Sequence, residues 1–547
     1  MQGKKDYQEK LFVDFRLSER VPQDNFYRKL KAILDLSYLR NMTKQYYGKE
    51  GQKSIDTEVF FKLMLIGYIE NINSDRKIIE TAGMRMDMLY FLGYDIDEAL
   101  PWHSTLSRTR KLFGEEVFLE LFRNILRMCI ERGMVSGKTQ AIDSAFIKAN
   151  ASMDSLVERE LVEKSKQFFN KITENEESKL DVKRKKTNAK QKHSDKYVSK
   201  TDKDARVSRK QGKVPALNHL GIISVDTENH VICGAVVDFA DKNDSDTTEN
   251  IVSQTIENLK DNHLKVENVL ADTGYSSGVS YKFLEKNSIN AYIPPISGYK
   301  AIKEGFIYDE KEDCYICKQG IKVLFKGIQK EQTEKISSRV YRTKVADCKG
   351  CPLKEQCCKN MNYKKLKHSV DKAYYDKAHK LLNSREGKQK MRLRGATVEP
   401  VWGTLLHYRG LKKVYTKGNQ LANKQLIMAA SAYNLKKLLS WTLAIKATGN
   451  FIKATITNFK WQISLFFDFY FPCFCFSNLQ TSKNGRLLLK KILLCNNHFN
   501  WGQKKILREP KPHRGLPSII TNKNVQLRYI QSISRFRQNI YPGGGIH

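Results

Sequence analysis

The chain has 547 residues, enough for several domains and a sizeable core. Lys plus Arg number 95 against 59 for Asp plus Glu, a net charge of +36 that predicts attraction to polyanions, of which nucleic acid is the commonest. A membrane reading is weak: the most apolar run, Ile463 to Phe476, is too short to span and is broken by Asp468 and Pro472. The N-terminal MQGKKDYQEKLF lacks the apolar centre of a signal peptide, so a cytoplasmic protein with reduced thiols is expected.

In chain order, residues 1–135 read as helical. SIDTEVFFKLMLIGYIENI carries apolar residues at helical spacing, and RKIIETAGMRMDMLYFLGY follows. In LPWHSTLSRTRKLFG, Ser104 or Thr105 is placed to cap a helix after the Pro101 turn. Short helices, tight turns and Arg108, Arg110 and Lys111 suggest a helix-turn-helix-like DNA binder; an ordinary bundle with a solvated basic face is the competing reading. TQAIDSAFIKANAS is strand-like and holds Asp143. Residues 155–213 are strongly basic and read as an exposed helical excursion with a disordered loop.

LGIISVDTENHVICGAVVDFAD then reads as two strands around a turn at 226–229. DSDTTENIVSQTIENLKDN reads as a helix, with Asp246 and Glu249 spaced as a capping box. VENVLADTGYSS is a short strand ending at Asp272, GVSYKFLEKNSI a helix and NAYIPP a strand. The order predicts a mixed α/β domain over 136–298 and 386–445, interrupted at 299–385 by a cysteine-rich segment. The basic tail, 446–547, shows no periodic core pattern and is expected to be poorly ordered.

In MRLRGATVEPVWGTL, Glu399 is a lone acid among Arg392, Arg394, Arg409, Lys412 and Lys413. Such an acid is a salt-bridge partner or one ligand of a metal. Asp143 lies within a strand and Asp272 at the end of another, and ligands gather at strand carboxyl ends in open α/β sheets. Three convergent carboxylates suit two Mg²⁺ (or Mn²⁺) ions, which clamp the attacking and leaving oxygens of a phosphoryl displacement. Asp238, Asp241, Asp244 and Asp246 in DFADKNDSD form a rival cluster, for which turn chemistry and capping are the better account.

AIDSAFIKANAS, LADTGYSS and RGATVEPVWGTL resemble the three acidic motifs of insertion-sequence DDE transposases, in particular the group named after insertion sequence 1182. PWHSTLSRTRKLFG resembles a segment of that group's N-terminal DNA-binding domain, and CKGCPLKEQC its cysteine-rich insertion; the likeness runs from about residue 10 to 445. It implies an RNase H-like catalytic domain behind a helical DNA-binding domain, and cut-and-paste movement of a DNA element. It further implies binding to terminal inverted repeats and target DNA, a homodimer in the synaptic complex, and Asp143, Asp272 and Glu399 as Mg²⁺ ligands. Arg394 matches a basic position expected to bind phosphate. Trp102 stands where the group has Asp, and Leu406 where related elements often carry Lys or Arg, a role open to Arg409 or Lys412. Trp402 reads as a core residue in preference to a base-stacking one. A nuclease without strand joining and a catalytically inactive DNA-binding relic are the alternatives.

Of the 11 cysteines, Cys314 with Cys317 and Cys348 with Cys351 form two C-x-x-C pairs suited to a tetrahedral zinc site, with Cys357 a competing ligand. A zinc-free insertion with buried thiols is the alternative. Cys129 and Cys233 sit in apolar stretches and read as core.

Overall fold

The computed structural model describes residues 15–48, 50, 54–159, 196–209, 212, 214–295, 299, 301–330, 337–358 and 361–442, and two residue pairs beyond. Before the first strand come α1 (Leu17–Arg20), α2 (Phe26–Ile33), α3 (Tyr38–Thr43), α4 (Thr57–Ile69), α5 (Asp75–Gly83), α6 (Met86–Leu92), α7 (His103–Leu112) and α8 (Glu115–Glu131). Asp56 caps α4 by accepting the Glu58 N–H, and the helix is buried on nearly every side. Around it Phe60, Phe61, Phe113 and Phe118 meet edge-to-face or stacked, with centroids as close as 4.9 Å. The cap expected at Ser104 or Thr105 is not formed. The chain is still extended at Trp102, which is the N-cap without a side-chain bond, so both residues fall inside the first turn.

The main sheet contains β1 (Thr139–Lys148), β4 (Arg206–Ser208), β5 (Ala216–Asp226), β6 (Ile232–Phe239), β7 (Asn268–Leu270) and β8 (Asn290–Tyr292). Between β1 and β4, β2 (Leu156–Glu158) and β3 (Tyr197–Ser199) pair antiparallel. β1 is antiparallel to β5 on one side and parallel to β7 on the other; β6 and β4 pair with β5, and β8 continues parallel to β7. This mixed sheet flanked by helices fits the RNase H-like expectation. Within the basic 155–213 stretch the described residues include short strands, as suits the β-formers Val157, Tyr197, Val198 and Val207, and the expected helical excursion with its loop falls on residues 160–195. Residues 160–195 lie outside the described residues.

Helix α9 (Thr248–Lys260) packs against β6 and α10 (Gly278–Lys286) against β8. The capping box sits three residues earlier than expected: Asn243 is the cap and Asp246 the returning acid, because a 3₁₀ turn over Asp244–Thr247 precedes α9. Next comes a separate five-stranded antiparallel sheet, β9 (Phe306–Asp309), β10 (Cys314–Cys317), β11 (Lys322–Lys330), β12 (Ser337–Arg342) and β13 (Lys365–Ser369). Short helices α11 (Val345–Lys349) and α12 (Lys354–Cys357) lie between its last two strands. The chain returns through α13 (Lys372–Asn383), α14 (Arg385–Tyr408) and a helix α15 over 419–442.

One hydrophobic core runs through the N-terminal helices, the main sheet, α14 and α15. Asn434 both donates to the Ile232 carbonyl and accepts its N–H, and Asn423 accepts the Val237 N–H. These side chains from α15 satisfy backbone groups of edge strand β6 that a further strand would otherwise seek. Among the described residues no helix is long and apolar enough to cross a membrane. Residues 451–547 form a second unit, in which Gln480–Thr481 and Leu487–Leu488 pair antiparallel. The rest of the tail lies outside the described residues.

Candidate active site

Asp143 and Asp272 come together through strand register. Ala141 on β1 stands opposite Leu270 on the parallel β7, and each chain reaches its aspartate two residues further on. Neighbouring strands lie about 4.8 Å apart, so the two backbones deliver their carboxylates side by side where β7 ends. Asp272 is fixed there by accepting the Gly274 N–H at 2.9 Å, capping the turn Thr273–Tyr275. Burial pushes the Asp143 carboxyl up to about 6. The Ser144 N–H and the Arg394 guanidinium oppose that rise, while the carboxylates of Asp272 and Asp244 add to it.

Helix α14 lies over the face of β1 that carries Asp143. Val398, Val401, Trp402 and Leu405 are its large buried apolar positions, and Glu399 faces outward, 65% exposed. Trp402 is core, as expected: a Cβ at Gly221 would sit 2.9 Å from its ring and 2.7 Å from Ile147 Cδ1, so only glycine lets β5 pass beneath the indole. The Glu399 carboxylate folds back along its helix and accepts from Arg394 Nη2 at 3.5 Å. Arg394 thus links two acids, bonding to Glu399 and acting electrostatically on Asp143. The lone acid of the basic segment is an ion-pair partner in this arrangement, held one guanidinium away from the aspartates.

Asp244 is the acid that sequence reasoning passed over. Its neighbours behave as expected of turn and surface acids: Asp238 pairs with Lys242 at 2.8 Å, Asp241 with Arg206 at 3.7 Å, and Asp246 closes the capping box. Asp244 instead accepts from Ser144 Oγ at 2.6 Å, beside Asp143 in sequence. A Cβ on Gly274 would lie 2.6 Å from one Asp244 oxygen and 3.1 Å from Asp272 Oδ1, so these two acids flank the glycine. Tyr275 is fully buried, its hydroxyl lies beside that of Ser144, and Asp244, Asp143 and Asp272 all act on it electrostatically. Four adjacent aspartates of similar local chemistry hid the one that a remote strand singles out.

The basic residues divide. Arg108, Lys111, Arg392 and Lys412 are exposed, and Arg394 and Lys413 are half-buried. Arg110 and Arg409 are corrections to the expected DNA-binding set. Arg110 is buried and holds Asp75 through two bonds of 2.6 and 3.1 Å, and Arg409 is buried and donates to the Ile69 and Tyr408 carbonyls. Both guanidiniums serve the helical packing and are withdrawn from any phosphate. Arg409 therefore does not stand in for the basic residue missing at Leu406, which is itself packed partly against the core. A cleft of about 670 Å³ has Ser107, Lys111, Asn150 and Lys417 in its lining.

The cysteines are also rearranged. Cys314 is buried away from the others, its sulfur 3.9 Å from a Glu312 oxygen, so the expected pairing of Cys314 with Cys317 in one site does not form. Residues three apart on a strand point to opposite faces. Cys317, Cys348, Cys351, Cys357 and Cys358 instead line one small cavity. Cys129 and Cys233 are fully buried in the main core. Among the described residues no three or more His, Cys, Asp or Glu side chains are already spaced as a metal site.

Two family models match the chain. Residues 15–112 match a transposase domain (DUF772), and residues 316–439 match a transposase DDE domain. The matched segments support an insertion-sequence DDE transposase. Glu399 lies inside the second match, while Asp143 and Asp272 fall between the two. A solved structure, the Mos1 transposase paired-end complex with left transposon end, matches at 10% identity and a TM-score of 0.14, over 48% of this chain and 67% of that one. No curated protein matches.

Proposed function

We propose that the chain is the transposase of an insertion sequence of the group named after insertion sequence 1182. It binds the element's terminal inverted repeats, cuts the DNA there and joins the freed ends to a target. The observation that carries this reading is the delivery of Asp143 and Asp272 by adjacent parallel strands beneath the helix that bears Arg394 and Glu399.

The donor set suits hard cations, since it consists of carboxylates whose charges bear on one another at Asp143. Asp143, Asp272 and Glu399 would hold Mg²⁺ or Mn²⁺, which supplies Lewis acidity for in-line displacement at phosphorus. Glu399 reaches the aspartates by leaving Arg394, and the released guanidinium is then free to hold the scissile phosphate. Asp244 keeps Ser144 in place and so braces the strand at Asp143. Water first attacks a phosphodiester at the element end, and the 3′-hydroxyl produced attacks a second phosphodiester. Arg108 and Lys111 on α7, with Arg392, Lys412 and Lys413, contact the DNA backbone, so binding should weaken steeply with salt. Two copies of the chain holding two ends would make the synaptic complex.

The test uses purified protein, DNA ends flanking its own gene and Mg²⁺ or Mn²⁺, with products separated by length. Cut ends together with joined products are expected. Cutting without joining would favour a nuclease, and DNA binding without any chemistry an inactive relic.

A further inference from the structure

The five-stranded sheet β9–β13 has very little to hold it together. Its buried apolar cluster consists of Tyr315, Val323, Tyr341 and Leu366, with Phe306 and Tyr308 packed partly against it. Modules with so small a core are generally stapled by disulfides or a structural metal. At one end of this sheet the chain brings cysteines from two separate segments to a cavity of about 30 Å³.

Each thiol is delivered by a tight local turn. Cys317 ends β10 in a turn closed by its own carbonyl, which accepts the Gly320 N–H at 2.9 Å, and by its N–H, which donates to Ile321. Gly320 has φ +75°, a conformation that favours glycine. Cys348 lies on α11, its sulfur 3.2 Å from Thr343 Oγ1. Cys351 follows where the chain turns into α12, and Cys357 and Cys358 end that helix. The Cys358 thiol is buried and interacts with those of Cys357 and Cys348. Lys354 and Lys364 also line the cavity, and Lys364 Nζ donates to the Cys357 carbonyl at 2.6 Å. Their charge would offset the negative charge of a tetrathiolate site.

We propose that Cys317, Cys348, Cys351 and Cys358 hold one structural Zn²⁺ that staples the hairpin β10–β11 to α11 and α12. Cys314 takes no part. The sulfurs line the cavity without yet meeting at its centre, and χ1 rotation is the motion that would draw them onto an ion. Each thiol gives up its proton as its Zn–S bond forms, so loading releases protons and needs no redox partner. Cys358 is chosen over Cys357 because it is the more deeply buried and touches Cys348.

Zinc per chain, measured by elemental analysis on the purified full-length protein, is the test. One zinc is expected in the wild type, in Cys314→Ser and in Cys357→Ser, and a fall of at least about fivefold in Cys317→Ser, Cys348→Ser, Cys351→Ser and Cys358→Ser. Because misfolding alone would also release zinc from a variant, Co²⁺ is exchanged into the wild type, where tetrathiolate coordination gives intense visible d–d bands. Zinc-free wild-type protein, a Cys357–Cys358 reversal, loss of zinc in Cys314→Ser, or a disulfide among these thiols would overturn the assignment. The outcome is independent of DNA cutting: a zinc-free chain that joins DNA defeats only this proposal, and a zinc-loaded chain without activity leaves it standing.

Discussion

The carboxylate cluster and the thiol cluster sit on very different foundations. Asp143 and Asp272 are carried by a sheet whose core continues through the N-terminal helices, α14 and α15. The thiols hang on a sheet whose buried apolar cluster, among the described residues, holds four side chains. A scaffold with ample core can hold half-buried like charges together and still fold. A scaffold with almost none needs its ligands to contribute to folding itself. Cations should therefore matter to the first cluster for chemistry and to the second for structure.

Selective metal removal should break this comparison most sharply. Withdrawing Mg²⁺ should abolish DNA cutting while the melting transition of the main core stays put. Withdrawing zinc with a tight chelator should make 306–369 the first region cut by limited proteolysis. If both treatments act alike, the two clusters do not differ as described.

Next in size is Trp402→Ala, which empties the space where β5 passes beneath α14. It should cost about 3–5 kcal/mol of main-core stability by denaturant titration, with the cysteine sheet unaffected. Asp244→Asn should be gentler. It leaves the fold intact but weakens the hold on Ser144, so single-turnover cutting should fall roughly 10–100-fold at unchanged DNA affinity. An unchanged rate would make Asp244 an ordinary surface acid.

The smallest effects concern pH, and they have opposite signs in the two regions. Burial raises Asp143 from 3.8 to about 6, so the folded state binds the proton more tightly than the unfolded chain does. Its contribution is favourable at low pH and is lost as pH rises through about 4 to 6. Asp143→Asn should therefore stabilise the protein at pH 8, by on the order of 1–2 kcal/mol. In the cysteine sheet, burial beside Lys372 and Arg339 lowers His368 from 6.5 to about 4. It stays neutral there, accepting from Tyr315 or Tyr341. The unfolded chain takes up the proton first, so that sheet should lose stability as pH falls from about 6.5 to 4. Proteolysis of 306–369 across that range reads the slope.

The sequence made the element order legible because apolar periodicity and short local turns set it. The helices around Thr57–Ile69, the strand with Asp143 and the hairpin around 226–229 all occur. What it did not show depends on burial and on remote contacts. Arg110 and Arg409 are as basic as Arg108 in sequence, yet Asp75 and the Ile69 carbonyl draw them inside. Cys314 and Cys317 look like a pair until strand alternation sends them to opposite faces. Asp244 is one of four similar acids until Ser144, one hundred positions away, selects it.

The most direct measurement of the central claim is single-turnover cleavage of an element end by the wild type, Asp143→Asn, Asp272→Asn and Glu399→Gln, with DNA binding checked by gel shift. Each substitution should lower the rate by at least about 10³-fold and leave binding unchanged. A Glu399→Gln protein that cuts at the wild-type rate would show that this acid is only the ion-pair partner of Arg394.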